Sequence, residues 1–303
     1  MALQSKPFMR AHFTWNLGRR SLQLGEHTLV MGIVNVTPDS FSDEGQFFGA
    51  LQAIDHALRL LDEGADILDT GGESTRPGST VGSVSADEEL RRVLPVIEGV
   101  KSARPEAIIS VDTYKAATAR AAVSAGAEIV NDVSGLRWDD TMDKTIADLS
   151  CGCVLMHMRG TPDTWRTLEP LRDPVELVSR ELLGSSDRAF KTGITRESIV
   201  LDPGLGFGKS FDENYPLLAH IYLLHALGFP LLSGTSRKSF LGRTAGARLG
   251  RDLPPSERLN ATIASVTALV LKGAHIVRVH DVKPIVEAVA IADAILRATK
   301  TAE

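Results

Sequence analysis

Short apolar runs recur eight times along the chain, and nearly every one ends in a polar residue or a glycine pair where a strand core would not place one. Leu29 to Val34 is followed by Asn35, Ile67 and Leu68 by Asp69 with Gly71 and Gly72, and Ile108 to Val111 by Asp112. Ile129 and Val130 precede Asn131, Val154 to Met156 precede His157, and Ile199 to Leu201 precede Asp202. Leu231 and Leu232 lead into Ser233 and Gly234, and Ile276 to Val279 carries Arg278 and ends at His280. Between the runs, helical spacing is legible at 51–63, 86–100, 115–124, 175–191, 256–272 and 282–298. Gly64, Gly126 and Gly273 each follow such a stretch, in the repeated junctions Glu63-Gly64-Ala65-Asp66, Ala125-Gly126-Ala127-Glu128 and Lys272-Gly273-Ala274-His275. Each junction predicts a helix stop feeding a strand, and Ser256 after Pro254 and Pro255 is placed as an N-cap.

The order β then α, eight times over, predicts an α/β chain folded as a (β/α)8 TIM barrel. An open doubly wound sheet is the competing architecture, since alternation alone does not reveal closure. Polar ends on nearly all the runs, rather than at one switch point, favour the barrel. No linker rich in Pro, Gly or Ser divides the 303 residues, so residues 29–303 read as a single barrel domain, which needs about 250 residues. Ahead of it, residues 1–28 carry Lys6, Arg10, Arg19 and Arg20 with no acid before Glu26, but lack the uninterrupted apolar segment of a secretory signal. Phe13 to Leu17 and Ser21 to Leu24 alternate polar and apolar around Gly18, which predicts a β-hairpin plugging the barrel bottom.

Composition narrows the function classes. Hydrophobic residues make up 43% and charged residues 23%, with a formal net charge of −5 and both signs interspersed. That is an ordinary globular balance, without the basic footprint of a general nucleic-acid binder and without a bilayer-spanning run. Any anion site must be local. Cys151 and Cys153, beside a glycine at a strand start, read as reduced and structural; number, spacing and partners are wrong for zinc. A cytoplasmic location follows.

In a barrel the C-terminal strand ends share one mouth, so Asn35, Asp112, Asn131, Asp202, Lys238, Arg278 and His280 are expected to converge there. Asp112, Asn131 and Asp202 can accept from an aminopyrimidine edge, and Lys238 can donate to a carbonyl or ring nitrogen. Arg278, His280 and Arg76 suit an anion, arginine gripping phosphate in a bidentate fork. The ligand so implied is a polar heterocycle carrying phosphate. The plainer alternative is an ion-pair network in which Asp112 and Asp202 only balance Lys238 and Arg278. Two long loops at the rim, 35–48 and 71–85, are either connectors or a mobile lid. The stretch from Asp202 to Ser210 fails as a phosphate-binding loop, because Pro203 and Lys209 stand where glycine or alanine is required. Its glycines instead permit close backbone approach to a flat ligand, with Phe207 packing on that ligand or on the rim. His157, flanked by methionines, is open between packing and catalysis.

Taken together, Met31 to Asp43, Gly71 to Gly78, Ser110 to Thr113, Asn131-Asp132, Leu155 to Met158, Leu201 to Gly204, Ser236 to Ser239 and Arg278 to Asp281 closely resemble the dihydropteroate synthase family, in motif order. The resemblance implies condensation of 6-hydroxymethyl-7,8-dihydropterin pyrophosphate with p-aminobenzoate, giving 7,8-dihydropteroate and pyrophosphate. By that resemblance Asp112, Asn131, Asp202 and Lys238 bind the pterin, with Phe207 against it, and Asp112, Lys238, Arg278 and His280 are the catalytic set. Asn35, Thr75, Arg76, Arg278 and His280 hold pyrophosphate, with Mg²⁺ as cofactor on Asn35. Phe41, Thr75, Pro77, Lys238 and Ser239 line the p-aminobenzoate site. The family also implies a homodimer. The chain departs from the pattern at Glu44, where glycine is usual, and at Thr70, where an aliphatic residue is usual; Glu44 puts the first loop's behaviour in question. A pterin-dependent methyltransferase and a non-catalytic pterin-binding paralogue remain the alternatives.

Overall fold

The computed structural model describes residues 10–36, 45–74, 80 and 82–300. Two short antiparallel strands, β1 (Phe13–Asn16) and β2 (Ser21–Leu24), open the chain. Eight parallel strands follow: β3 (Leu29–Asn35), β4 (Ile67–Gly71), β5 (Ile108–Asp112), β6 (Ile129–Asp132), β7 (Gly152–Met156), β8 (Ile199–Asp202), β9 (Leu232–Ser233) and β10 (Ile276–Val279). Their order in the sheet is β8-β7-β6-β5-β4-β3-β10-β9. A parallel bridge from Leu201 to Leu231, with the Leu201 N–H donating to the Pro230 carbonyl at 3.0 Å, joins the two edges. That bridge excludes the open doubly wound sheet: the strands form a TIM barrel.

Helices α1 (Gly45–Asp62), α2 (Ala86–Ala103), α3 (Ala116–Ser124), α4 (Met142–Leu149), α5 (Pro174–Thr192), α6 (Asn214–Ala219), α7 (Ser239–Gly246), α8 (Leu259–Leu271) and α9 (Val282–Lys300) surround it. Their inward stripes, such as Val93, Val96, Ile97 and Val100 of α2, pack with outward-facing strand residues such as Val30, Leu68 and Ile109 in the main core. Gly64, Gly126 and Gly273 have φ of +102°, +117° and +99°, the left-handed stop that the repeated junctions predict.

Ser256 is not an N-cap. Pro254 and Pro255 set a 3-10 turn over Pro255–Glu257, the Glu257 N–H donating to the Pro254 carbonyl, and α8 starts only after Arg258. Helices α4, α6 and α7 were not legible as periodic stretches, being six to eight residues long.

The hairpin does close the barrel bottom. Trp15, Leu17 and Leu24 are buried against Leu29, Met31, Ile67, Ile129, Val154, Val200, Leu232 and Ile276, residues at or near the starts of the strands. Trp15 Nε1 donates to the Ser198 carbonyl at 3.0 Å, so its polar edge is satisfied. Arg10, charged but buried, donates to Gly25, Thr28, Ala274 and Asp293, tying the N-terminal segment to α9. With the bottom packed and tied, the open end of the barrel is the top. Cys151 and Cys153 are free and buried, and burial pushes both thiols up, Cys151 to about 12. No described helix is long and apolar enough to cross a membrane.

Candidate active site

Parallel pairing aligns the strand ends, so residues far apart in sequence meet at the top: Asn35 pairs in register with Gly71, and Gly71 with Asp112, which pairs with Asn131. Arg278 on β10 reaches to β4 and β5. Its Nε donates to Asp69 Oδ2 at 2.5 Å and its Nη2 to Asp112 Oδ2 at 2.7 Å. Asn131 Nδ2 donates to the same Asp69 oxygen at 3.1 Å. Asp69 is wholly buried, whereas the Asp112 and Arg278 side chains keep 15% and 22% of their surface open to the mouth. Burial raises the Asp112 carboxyl above the ordinary carboxylate range; Arg278 opposes that shift, and Asp69, Glu89 and Asp132 add to it. Arg278, between two carboxylates, is held firmly cationic.

A second group sits beside the first. Asp202 Oδ1 accepts the Gly204 N–H at 2.7 Å, and burial raises its carboxyl while Lys238 opposes. Lys238 stands just before α7 and donates to the Leu205 carbonyl, its Nζ 4.4 Å from the Phe207 ring centroid. Burial lowers its ammonium to about 7, against the attraction of Asp202 and with the repulsion of Arg278. The turn carrying Phe207 is built from Gly204, Gly206 and Gly208 at φ of +61°, +82° and +65°; a Cβ at Gly204 or Gly208 would overlap the carbonyl oxygen of His157 or Arg159. Lys209, buried beneath that turn, donates to the carbonyls of Gly204 at 2.7 Å, Phe207 at 3.1 Å and His157 at 3.4 Å.

The segment from Ser236 to Lys238 is docked on the end of β10. The His280 N–H donates to Ser236 Oγ at 3.1 Å, and His280 Nδ1 lies 2.9 Å from that hydroxyl. Arg237, at φ +56°, grips both Asp281 carboxylate oxygens at 2.5 and 2.9 Å. Ser239 is exposed at the first turn of α7.

The structure thus brings Asp112, Asn131 and Arg278 into one hydrogen-bonded group, sets Asp202, Lys238 and Phe207 beside it, and places Asn35 half-buried at the end of β3. Phe41, Glu44, Thr75, Arg76 and Pro77 lie outside the described residues. Sequence reasoning missed Asp69 and Lys209. Asp69 ends its apolar run just as Asp112 does, which was the available signal; Lys209 looked only like a failed phosphate-loop lysine. His157 is buried with Nε2 3.1 Å from Glu181 Oε2, and burial lowers it to about 4, so it stays neutral in the protein.

Among the described residues no cluster of three or more His, Cys, Asp or Glu side chains could hold a metal ion. Asn35 nonetheless offers a hard oxygen ligand. Mg²⁺ keeps several waters and takes one or two protein oxygens beside substrate phosphates, which a single ligand at this rim fits.

Comparison with known proteins shows the family. The family model for pterin binding enzymes matches residues 31–280. The dihydropteroate synthase of Escherichia coli (strain K12) is 42% identical over 272 residues, 90% of this chain and 93% of that protein. The chain belongs to the dihydropteroate synthase family. A family member from Xanthomonas albilineans, solved with 4-aminobenzoic acid, superposes with a TM-score of 0.84 at 43% identity, covering 94% of this chain and 98% of the other. The same organism's dihydropteroate synthase in complex with 7,8-dihydropteroate gives a TM-score of 0.80 at 41% identity, covering 93% and 98%. Membership in the synthase family displaces the methyltransferase alternative.

Proposed function

We propose that the chain carries out the dihydropteroate synthase reaction of folate synthesis with the following division of labour. The observation that carries it is the Asp69–Arg278–Asp112 group at the mouth of a barrel whose relatives were solved with 4-aminobenzoic acid and with dihydropteroate. The pterin lies over the β5, β6 and β8 ends. Asp112, Asn131 and Asp202 accept from its amino and ring N–H edge, and Lys238 turns from the Leu205 carbonyl to the pterin's acceptor edge, with Phe207 beneath.

The bond between the pterin methylene and the bridging oxygen breaks first, its electron pair leaving with pyrophosphate. The arylamine nitrogen of p-aminobenzoate then forms the new C–N bond and sheds one proton. An arylamine is already a free nucleophile at neutral pH, so no strong base is required. The work is electrostatic: Asp112 faces the cation that develops on the methylene and pterin, and Arg278 and His280 face the departing phosphate charge. Mg²⁺, when bound with Asn35 among its ligands, supplies further neutralisation of the leaving group. The N-terminal turn of α7, with Ser239 exposed and Lys238 preceding, receives the p-aminobenzoate carboxylate.

Asp112→Asn tests this reading. The expected result is a fall in kcat of about 10²-fold with pyrophosphate binding largely kept; unchanged turnover contradicts the assignment. We also infer that residues 29–303 act as one catalytic domain in the cytoplasm and that two copies pair through α9, where Ile291 and Ile295, one turn apart, are 64% and 47% exposed. Sedimentation of the purified protein at the mass of two chains is the expected outcome, and a single-chain mass at micromolar concentration opposes it.

A further inference from the structure

We propose that Asp69 is a positioning residue of this reaction, holding Arg278 and Asn131 on one carboxylate oxygen and leaving the Asp69–Arg278–Asp112 trio with net negative charge for the developing cation. The inference rests on the division of labour above and adds a residue to it.

The geometry is specific. Two donors from different strands, Arg278 Nε on β10 and Asn131 Nδ2 on β6, meet at Asp69 Oδ2, at 2.5 and 3.1 Å. One group facing pyrophosphate and one facing the pterin are thereby fixed relative to each other before either substrate binds. Asp69 itself is 0% exposed, so it touches neither substrate and acts through its partners. Its other oxygen, Oδ1, is buried with no hydrogen-bond partner among the described residues. An ionised carboxylate left half-satisfied in the interior is costly, and a site selected for stability alone would place an amide or an apolar residue there.

Arg278 contributes one positive charge, and Asp69 and Asp112 contribute one negative charge each. With Asp69 present the trio is net negative, so Asp112 can stabilise a cation even while it is bonded to Arg278. Without Asp69 the remaining pair is neutral, and the attraction that speeds departure of pyrophosphate is lost.

The test is Asp69→Asn in the full chain, which keeps the shape and one acceptor but removes the charge. Steady-state kinetics with dihydropterin pyrophosphate, p-aminobenzoate and Mg²⁺ are measured from pH 5 to 9 beside wild type. The expected result is a kcat lowered about 10-fold or more with the KM for p-aminobenzoate within about twofold. The acid limb of the pH profile should also move to lower pH. The limb moves because Asp112 faces Arg278, Asp69, Glu89 and Asp132, and loss of the Asp69 charge removes one of the influences that hold its carboxyl high. A kcat within threefold of wild type, or a lowered kcat with the acid limb unmoved, overturns the proposal. Should Asp69→Asn fail to fold, Asp69→Glu keeps the charge and displaces the oxygen. Its acid limb should stay in place while kcat falls at least about fivefold, and wild-type kcat in that variant overturns the positioning role. An inactive wild-type protein would instead count against the synthase reading itself.

Discussion

Lys238 lies over the face of Phe207, its Nζ 4.4 Å from the ring centroid, while the same ammonium donates to the Leu205 carbonyl of the glycine-rich turn. Burial and Arg278 lower the ammonium to about 7. The charged form is therefore present below that pH and lost above it. In the free enzyme, kcat/KM for the pterin substrate should decline as pH rises through about 7. Lys238→Arg, whose side chain stays charged, should displace that decline upward even as the rate falls about 10-fold. A pH–rate profile of the two proteins checks this; an unmoved decline would assign it to Lys209, which burial also lowers to about 7.

Lys209 fixes the turn from below through three carbonyls. Lys209→Met fills its volume but leaves those acceptors without a donor, at a cost of roughly 1–3 kcal/mol. Calorimetric titration with the pterin substrate alone should show about 10-fold weaker binding, because Phe207 and the Leu205 carbonyl both ride on that turn. Binding at wild-type strength would show that the glycines hold the turn without it.

Two glycines at positive φ should respond differently to alanine. Gly204 at φ +61° faces the His157 carbonyl, whereas Gly193 at φ +98° has open space where a Cβ would sit. Gly193→Ala should cost only the backbone strain, about 1–2 kcal/mol, and Gly204→Ala more than that, since backbone must move as well. Urea unfolding of both variants measures the difference.

At the barrel bottom, His275 Nε2 meets the Ala11 carbonyl at 2.9 Å and its Nδ1 accepts the Leu231 N–H at 3.1 Å. Both ring nitrogens are used by the neutral form, and burial lowers the imidazole to about 3. The unfolded chain takes up the proton near pH 6.5, the native protein only near 3. The resulting stability is whole above pH 6.5 and is lost progressively as pH falls toward 3, at about 1.4 kcal/mol per unit for this one group. Melting temperature should fall across that window, and His275→Gln should flatten the slope; an unchanged slope would place the acid sensitivity elsewhere, for instance at His157.

The barrel was legible because every strand announces itself twice, by an apolar run and by the polar residue ending it. The helix stops at Gly64, Gly126 and Gly273 add a third, backbone signal. Closure was legible only indirectly, from polar ends on nearly all the runs; the bridge between Leu201 and Leu231 that completes it is encoded by no local pattern. The short helices α4, α6 and α7 escaped for lack of length, and Ser256 misled because two prolines favour a 3-10 turn ahead of the helix proper. In the site, residue type told which groups could bind a pterin, but not that Arg278 spans two carboxylates. Asp69 was passed over although it ends its run just as Asp112 does, because its partners, 62 and 209 residues away in sequence, appear only once the barrel closes.

The most direct test of the account is to incubate the purified protein with dihydropterin pyrophosphate, p-aminobenzoate and Mg²⁺, omitting each in turn, and to follow pyrophosphate and dihydropteroate together. The predicted result is release of the two products in equal amounts, with dihydropteroate absent whenever either organic substrate is left out. Pterin binding without release of either product would contradict it and restore the reading of a silent pterin-binding paralogue.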